Sequence, residues 1–125
     1  MLDNLDDGRL LRIFIGEADR LHGRPLYEAI LVAAREMGLA GGTVLRGIAG
    51  YGASSVVHTS RLLRMSEDLP VVIEIIESAE RVDRLVARVE EMLDEARCGA
   101  MITLEKAEVL RYRPAARHDP SSGGG

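Results

Sequence analysis

Two runs rich in β-branched residues, Thr43 to Ile48 and Leu69 to Ile76, are joined by a stretch far longer than a hairpin needs, with Gly47, Gly50 and Gly52 at its start. Residues of this kind favour strands, and a long connection inside a compact domain is usually functional or disordered. Glycines at those places let the backbone turn sharply or approach a ligand closely. The run therefore reads as a binding loop, residues 53–68, standing on a rigid sheet.

The rest of the chain supplies that sheet with partners. Arg9 to Ile15 alternates as a strand, with Leu11, Ile13 and Ile15 on one face and Leu10, Arg12 and Phe14 on the other. Pro25 suits the first turn of a helix whose apolar stripe is Leu26, Ile30, Ala33, Ala34 and Met37, with Gly38 as its stop. Ser78 is a good N-cap for a second helix, Glu80 stands in its first turn, and Val82, Leu85, Val86, Val89 and Leu93 form its stripe. Past Gly99, Ala100 to Arg113 returns as extended chain with a bulge or bend at Lys106 and Ala107.

The order strand, helix, strand, loop, strand, helix, strand defines an α+β, ferredoxin-like βαββαβ sandwich: a four-stranded antiparallel sheet with two helices on one face. Residues 9–113 form the domain, and residues 1–8 and 114–125 read as mobile tails. Two helices cover one face only. Val72, Glu74 and Ile76 then lie on the far side with Leu10, Arg12 and Phe14, and a half-apolar face of that size calls for burial in an oligomer. Arg12, Phe14, Val72, Glu74 and Ile76 are the expected interface, with Arg12 and Glu74 close together.

Composition narrows the function. The chain has 125 residues, a formal charge of −4 and four aromatic residues, Phe14, Tyr27, Tyr51 and Tyr112. Nucleic-acid binding normally needs a basic face or stacking aromatics, so it is disfavoured. No apolar run reaches the roughly 18 residues of a membrane span and no signal-peptide pattern opens the chain, which points to a cytoplasmic protein without membrane insertion. His22 and His58 lie far apart and no HxxxH or CxxC spacing occurs, so no metal site is expected. Cys98, the single cysteine, reads as a small packed residue rather than a nucleophile.

Three segments resemble the PII-like signalling proteins, and most closely the PII-like "domain of unknown function 190" family: RIFIGEAD at Arg12 to Asp19, GIAGYGASS at Gly47 to Ser55, and DLPVVIEII at Asp68 to Ile76. Thr43, Val44, Gly50, Tyr51 and Gly52 occupy the TV…V.G(F/Y)G pattern, and Arg111 and Arg113 match the two spaced arginines that end PII chains. The resemblance implies a homotrimer, an adenine-nucleotide cleft between subunits, and a loop that contacts a protein target, often a membrane transporter or an enzyme. Ala53, Ser54 and Ser55 stand where PII proteins carry a glutamine, and EARCGA at Glu95 to Ala100 replaces their glycine-rich basic phosphate loop. These departures argue against a triphosphate and for AMP, ADP, a cyclic nucleotide or an unrelated ligand.

The candidate ligand-binding residues are Gly47, Gly50, Tyr51, Gly52, Ser54, Arg111 and Arg113. The glycines either serve a bulge or strand exit or free backbone N–H groups that suit an anion, Tyr51 either stacks on a base or covers the sheet edge, and the arginines, on one face of a strand, either clamp a phosphate or are solvated edge residues before the tail. The charged stretch Glu17, Asp19, Arg20, His22 and Arg24 is either a solvated loop or a secondary ligand contact. His58, Arg61, Leu62, Arg64 and Met65 are the expected partner-binding residues, in a stretch with the mixed spacing of an amphipathic turn. The function expected is a regulator and not an enzyme. One alternative is an acylphosphatase-like hydrolase, which needs an arginine and an asparagine in its phosphate loop; Arg20 and Arg24 are there, but the only asparagine is Asn4. Another is a metal-responsive trimer of the divalent-cation-tolerance type.

Overall fold

The computed structural model describes residues 5–52 and 68–115. Strand β1 (Gly8–Gly16) is followed by a small hairpin, β2 (Arg20–Leu21) and β3 (Arg24–Pro25), then helix α1 (Leu26–Glu36), β4 (Thr43–Arg46), β5 (Pro70–Ser78), helix α2 (Ala79–Ala96) and β6 (Met101–Lys106). The four long strands pair in the order β4-β5-β1-β6, and every pairing is antiparallel. This is the ferredoxin-like sandwich expected from the sequence.

Strand ends differ from the expectation because a strand stops where its partner does. β6 pairs only as far as Lys106, opposite Arg9, and Ala107 N–H then closes on Gly8 C=O at 3.0 Å. Ala107 to Ala115 lies outside the strands, so Arg111 and Arg113 do not share a strand face. β4 ends at Arg46 rather than Ile48, since β5 begins at Pro70 and the last bond between them is Gly47 N–H to Pro70 C=O at 2.7 Å. Ile48 is left exposed. At the chain start, residues 5–8 were expected to belong to a mobile tail; instead Leu5–Asp7 form a 3-10 turn, and Gly8 already pairs with Ser78 because β5 runs two residues past Ile76.

The stretch read as a charged loop contains the β2–β3 hairpin. Its two central residues, His22 (φ 52) and Gly23 (φ 77), take the left-handed conformations that suit a two-residue turn between twisted strands. His22 Nε2 also meets Glu95 Oε1 at 2.7 Å, tying the hairpin to the end of α2. Helix α1 closes at Gly38 (φ 79), where the N–H groups of Met37, Gly38 and Leu39 return to the last carbonyls. Helix α2 ends on Arg97 in the same left-handed region (φ 55), which costs a side-chain-bearing residue about 1 kcal/mol. Arg97→Gly is accordingly expected to raise the unfolding free energy by up to about 1 kcal/mol, read by chemical denaturation.

The core lies between the helices and one face of the sheet. Leu11, Ile13, Ile15, Val71, Ile73 and Ile75 point into it from β1 and β5, and Leu26, Ile30, Val82, Leu85 and Val89 meet them from α1 and α2. One charged side chain is fully buried among the described residues. Glu77, at the end of β5, accepts the Ala40 N–H at Oε2 and the Ser78 N–H at Oε1, both at 2.8 Å. It thereby fastens the α1–β4 connection to the start of α2.

Among the described residues, the other face of the sheet carries no helix. Register places Leu45, Val72, Phe14 and Met101 in one apolar row across all four strands, and Thr43, Glu74, Arg12 and Thr103 in the next. Arg12 and Glu74 meet as expected, Nε to Oε2 at 2.9 Å, and Arg12 Nη1 also reaches Glu105 Oε1 at 2.6 Å. The hydrogen bond to Glu74 above all holds the Arg12 guanidinium in its charged form.

Candidate functional site

The chain leaving β4 passes close to the start of β5. A side chain on Gly47 would put its Cβ 2.8 Å from Pro70 Cγ, and Gly50 (φ 150) passes Pro70 Cγ so closely that a Cβ there would stand at 3.1 Å. Beyond it, Tyr51 and Gly52 line a cavity of about 230 Å³ together with Phe14, Gly16, Asp19, Asp68, Pro70, Gly99, Ala100 and Met101. Tyr51 keeps 70 % of its surface exposed. Ser54, His58, Arg61, Leu62, Arg64 and Met65 lie outside the described residues.

Two carboxylates that the sequence reading did not place together meet at this cavity. Asp68 Oδ1 accepts the Ala18 N–H at 2.9 Å, while Asp19 Oδ2 accepts the Gly16 N–H at 2.8 Å. Gly16 is required by that approach: a Cβ on it would stand 2.3 Å from Asp68 Oδ1. The Glu17 N–H bonds Leu69 C=O at 2.8 Å, so residues 68–69 are stapled to the β1–β2 turn through two bonds. Burial first, and the Asp68 charge after it, push the Asp19 carboxyl up from its ordinary range against the lowering effect of the Gly16 N–H. Burial, with Asp19 nearby, likewise pushes the Cys98 thiol up, as fits a packed residue and not a nucleophile.

A raised carboxylate means that the folded state binds its proton more tightly than the unfolded chain. Stability from this group is therefore full in acid and falls as pH rises through the window from the ordinary aspartate value to the raised one. Asp19→Asn, which keeps an oxygen for the Gly16 N–H, is expected to raise the melting temperature at neutral pH. The gain should shrink toward zero in acid; a pH-independent difference would speak against this origin.

Three other charged or titratable side chains of the β1–α1 segment are engaged, His22 with Glu95 as described above. Glu17 pairs with Arg46 at 2.7 Å and Arg20 donates to the Gly23 carbonyl. Arg111 is not near the loop root. It lines a separate cleft of about 620 Å³ on the helix-free face, with Gly42, Thr43, Glu74, Ile76 and Tyr112, while Arg113 is exposed. Within one chain the structure thus groups Tyr51 and Gly52 at the pocket, with Gly47 and Gly50 behind them at the neck, and leaves the two arginines elsewhere. Among the described residues, no three His, Cys, Asp or Glu side chains come together as a metal site, and no helix is long and apolar enough to cross a membrane.

A four-stranded antiparallel sheet with two helices on one face makes this a PII-like fold. The structure is similar to CPII, a nitrogen regulatory PII-like protein from Thiomonas intermedia K12 bound to ADP, AMP and bicarbonate, with a TM-score of 0.59 over 85 % of this chain and 96 % of that one, at 14 % identity. A protein from Thermus thermophilus, proposed to be PII-like in signalling, gives a TM-score of 0.58 over 82 % and 88 % at 17 % identity. At such identities the likeness establishes the fold.

The chain itself belongs to the DUF190 family ("Uncharacterized ACR, COG1993"), which residues 8–109 match. A UPF0166 protein from Aquifex aeolicus (strain VF5) is 38 % identical over 102 residues, covering 82 % of this chain and 92 % of the relative. The UPF0166 protein MJ1524 from Methanocaldococcus jannaschii is 32 % identical over 85 residues, 68 % of this chain and 78 % of its own length.

Proposed function

We propose that this chain is a non-enzymatic, PII-like cytoplasmic regulator that binds a small adenine-nucleotide-like effector at the loop root and controls a protein partner through residues 53–68. One observation carries the reading: Gly52 and Asp68, which stand immediately before and after the 53–67 segment, line the same cavity. An occupant therefore touches the chain on both sides of the loop, and any difference in its affinity for two loop states becomes a shift between them. The partner reads the state that the effector favours. CPII bound to ADP and AMP supports an adenine effector on this fold.

The unhelixed face of the sheet is covered by neighbouring copies in a homotrimer. The site is then completed between subunits, with Arg111 and Arg113 of one copy brought to the mouth of another's pocket. A membrane transporter is one kind of target that such a loop would fit. The acylphosphatase-like alternative gains no support from the geometry, since Arg20 is turned to Gly23 and does not line the cavity.

Calorimetry and thermal shift with AMP, ADP, ATP, cyclic AMP and S-adenosylmethionine test the reading, with Gly50→Ala and Arg111→Ala as variants. The expected result is binding of at least one ligand, weakened about tenfold or more in both variants, a loss of about 1.4 kcal/mol. If none binds, the effector switch is abandoned.

A further inference from the structure

We infer that the effector pocket at the loop root and the interface between copies share a wall, Phe14 and Met101, so that effector binding and assembly of this chain reinforce each other. The inference rests on the effector and the homotrimer of the proposed function and adds the regulation of that site: the effector sets how far the chain assembles, and assembly sets how tightly the effector is held.

The shared wall is a matter of register. Phe14 alternates with Ile13 and Ile15, which are buried under the helices, so its ring lies on the opposite face of the sheet. There it is aligned with Val72 on one side and Met101 on the other, and Leu45 continues the row on β4. This is the row that the homotrimer covers. Phe14 stands near the end of β1 and Met101 at the start of β6, and both also line the cavity that Tyr51, Gly52 and Asp68 border. Leu45 and Val72 belong to the row but not to the cavity. Two side chains therefore face an occupant of the pocket and a neighbouring copy at once.

The two visitors approach them from different directions. The cavity lies past the row, at the strand ends where Gly16 is aligned with Pro70, while the sheet face continues the other way, toward Arg12 and Glu74. The sign of the coupling follows from Met101. It is 62 % exposed in the single chain, and an unbranched side chain with three rotatable bonds in that setting exchanges rotamers freely. A neighbour pressed against the row holds Met101 in one arrangement, and so does a base lying against it in the cavity. Whichever arrives first bears the ordering entropy, and the second meets a wall that is already fixed. By linkage the gain is the same in both directions, about tenfold in affinity for one ordered methionine.

The test is sedimentation together with calorimetric titration of the full chain with AMP, ADP, ATP, cyclic AMP and S-adenosylmethionine, for the natural sequence and for Leu45→Arg. Leu45 is half exposed and outside the cavity, so the variant puts a charge into the row and leaves the pocket's residues in place; an unfolding curve establishes that it is folded. The expected result is a Leu45→Arg chain of protomer mass that binds the ligand about tenfold more weakly than the natural assembly. In a Met101→Ala background the same comparison is expected to shrink to about threefold or less. Dilution of the natural chain reads the coupling without a variant: saturating ligand is expected to lower the concentration at which it assembles. A dissociated Leu45→Arg chain that binds the ligand as well as the natural one overturns the inference alone. So does an assembly unmoved by Leu45→Arg, or a loss undiminished by Met101→Ala. A natural chain that binds ligand but stays a protomer at every concentration removes the homotrimer and the inference together and leaves the effector reading standing. If none of the five compounds binds, the effector reading and the inference fall together.

Discussion

Replacing Glu77 by glutamine is expected to lower the unfolding free energy by about 1–3 kcal/mol, and Glu77→Leu by about 3 kcal/mol or more. The carboxylate is fully buried and takes two backbone N–H groups, those of Ala40 and Ser78. Glutamine has one acceptor oxygen, so one of the two donors then faces an amide N–H; leucine leaves both without an acceptor in a place that water does not reach. The effect should be visible as a lowered denaturation midpoint with an unchanged slope. Glu80→Gln is the comparison. Glu80 pairs with Arg84 one helical turn along, on the solvent side of α2, where such a pair contributes only about 0.3–0.5 kcal/mol. If the two glutamine variants lose similar amounts, Glu77 is not the fastening described here.

Glu74→Leu is expected to change the mass of the assembly measured by sedimentation while leaving the protomer folded. The fold has little at stake in Glu74, which points away from the core and is half-buried against Arg12. An interface on that face has much at stake. Arg12 stands between Glu74 and Glu105, and removing one carboxylate takes away its Nε partner on a surface that the apolar row of Leu45, Val72, Phe14 and Met101 would press against a neighbour. A desolvated charge that loses a partner is costly, whereas the same charge facing water is not. An unchanged mass would therefore place the interface elsewhere.

Much of this architecture is legible in the residues. Alternation along β1 and β5 separates Leu11, Ile13 and Ile15 from Leu10, Arg12 and Phe14, and the neighbouring positions of the two strands then make the Arg12–Glu74 contact a matter of topology. The stripe of α2 and its start after Ser78 are equally readable. What escapes is whatever depends on the partner and not on the segment itself. Nothing in Ala107 to Arg113 announces that β1 has run out at Gly8, so the arginines expected on a strand face lie beyond the strand. β2 and β3 are too short to show a period, although His22 and Gly23 carry the signal of a tight turn. At the site, the glycines and Tyr51 stand out because they break the pattern around them. Asp19 and Asp68 do not, since each looks like an ordinary loop acid until the fold brings them to one cavity.

The closed neck of the loop has a consequence of a different kind. Gly47 N–H bonds Pro70 C=O, and Asp68 is pinned to the β1–β2 turn, so the ends of the intervening segment are already brought together by the frame. Lengthening or rewriting a loop whose ends are fixed in this way adds only a slowly growing entropic penalty. On the proposed function, the same sheet, neck and pocket would serve different partners by carrying a different segment between Gly52 and Asp68, and a chimaera that exchanges only this segment is expected to fold as its host does while answering to the donor's partner.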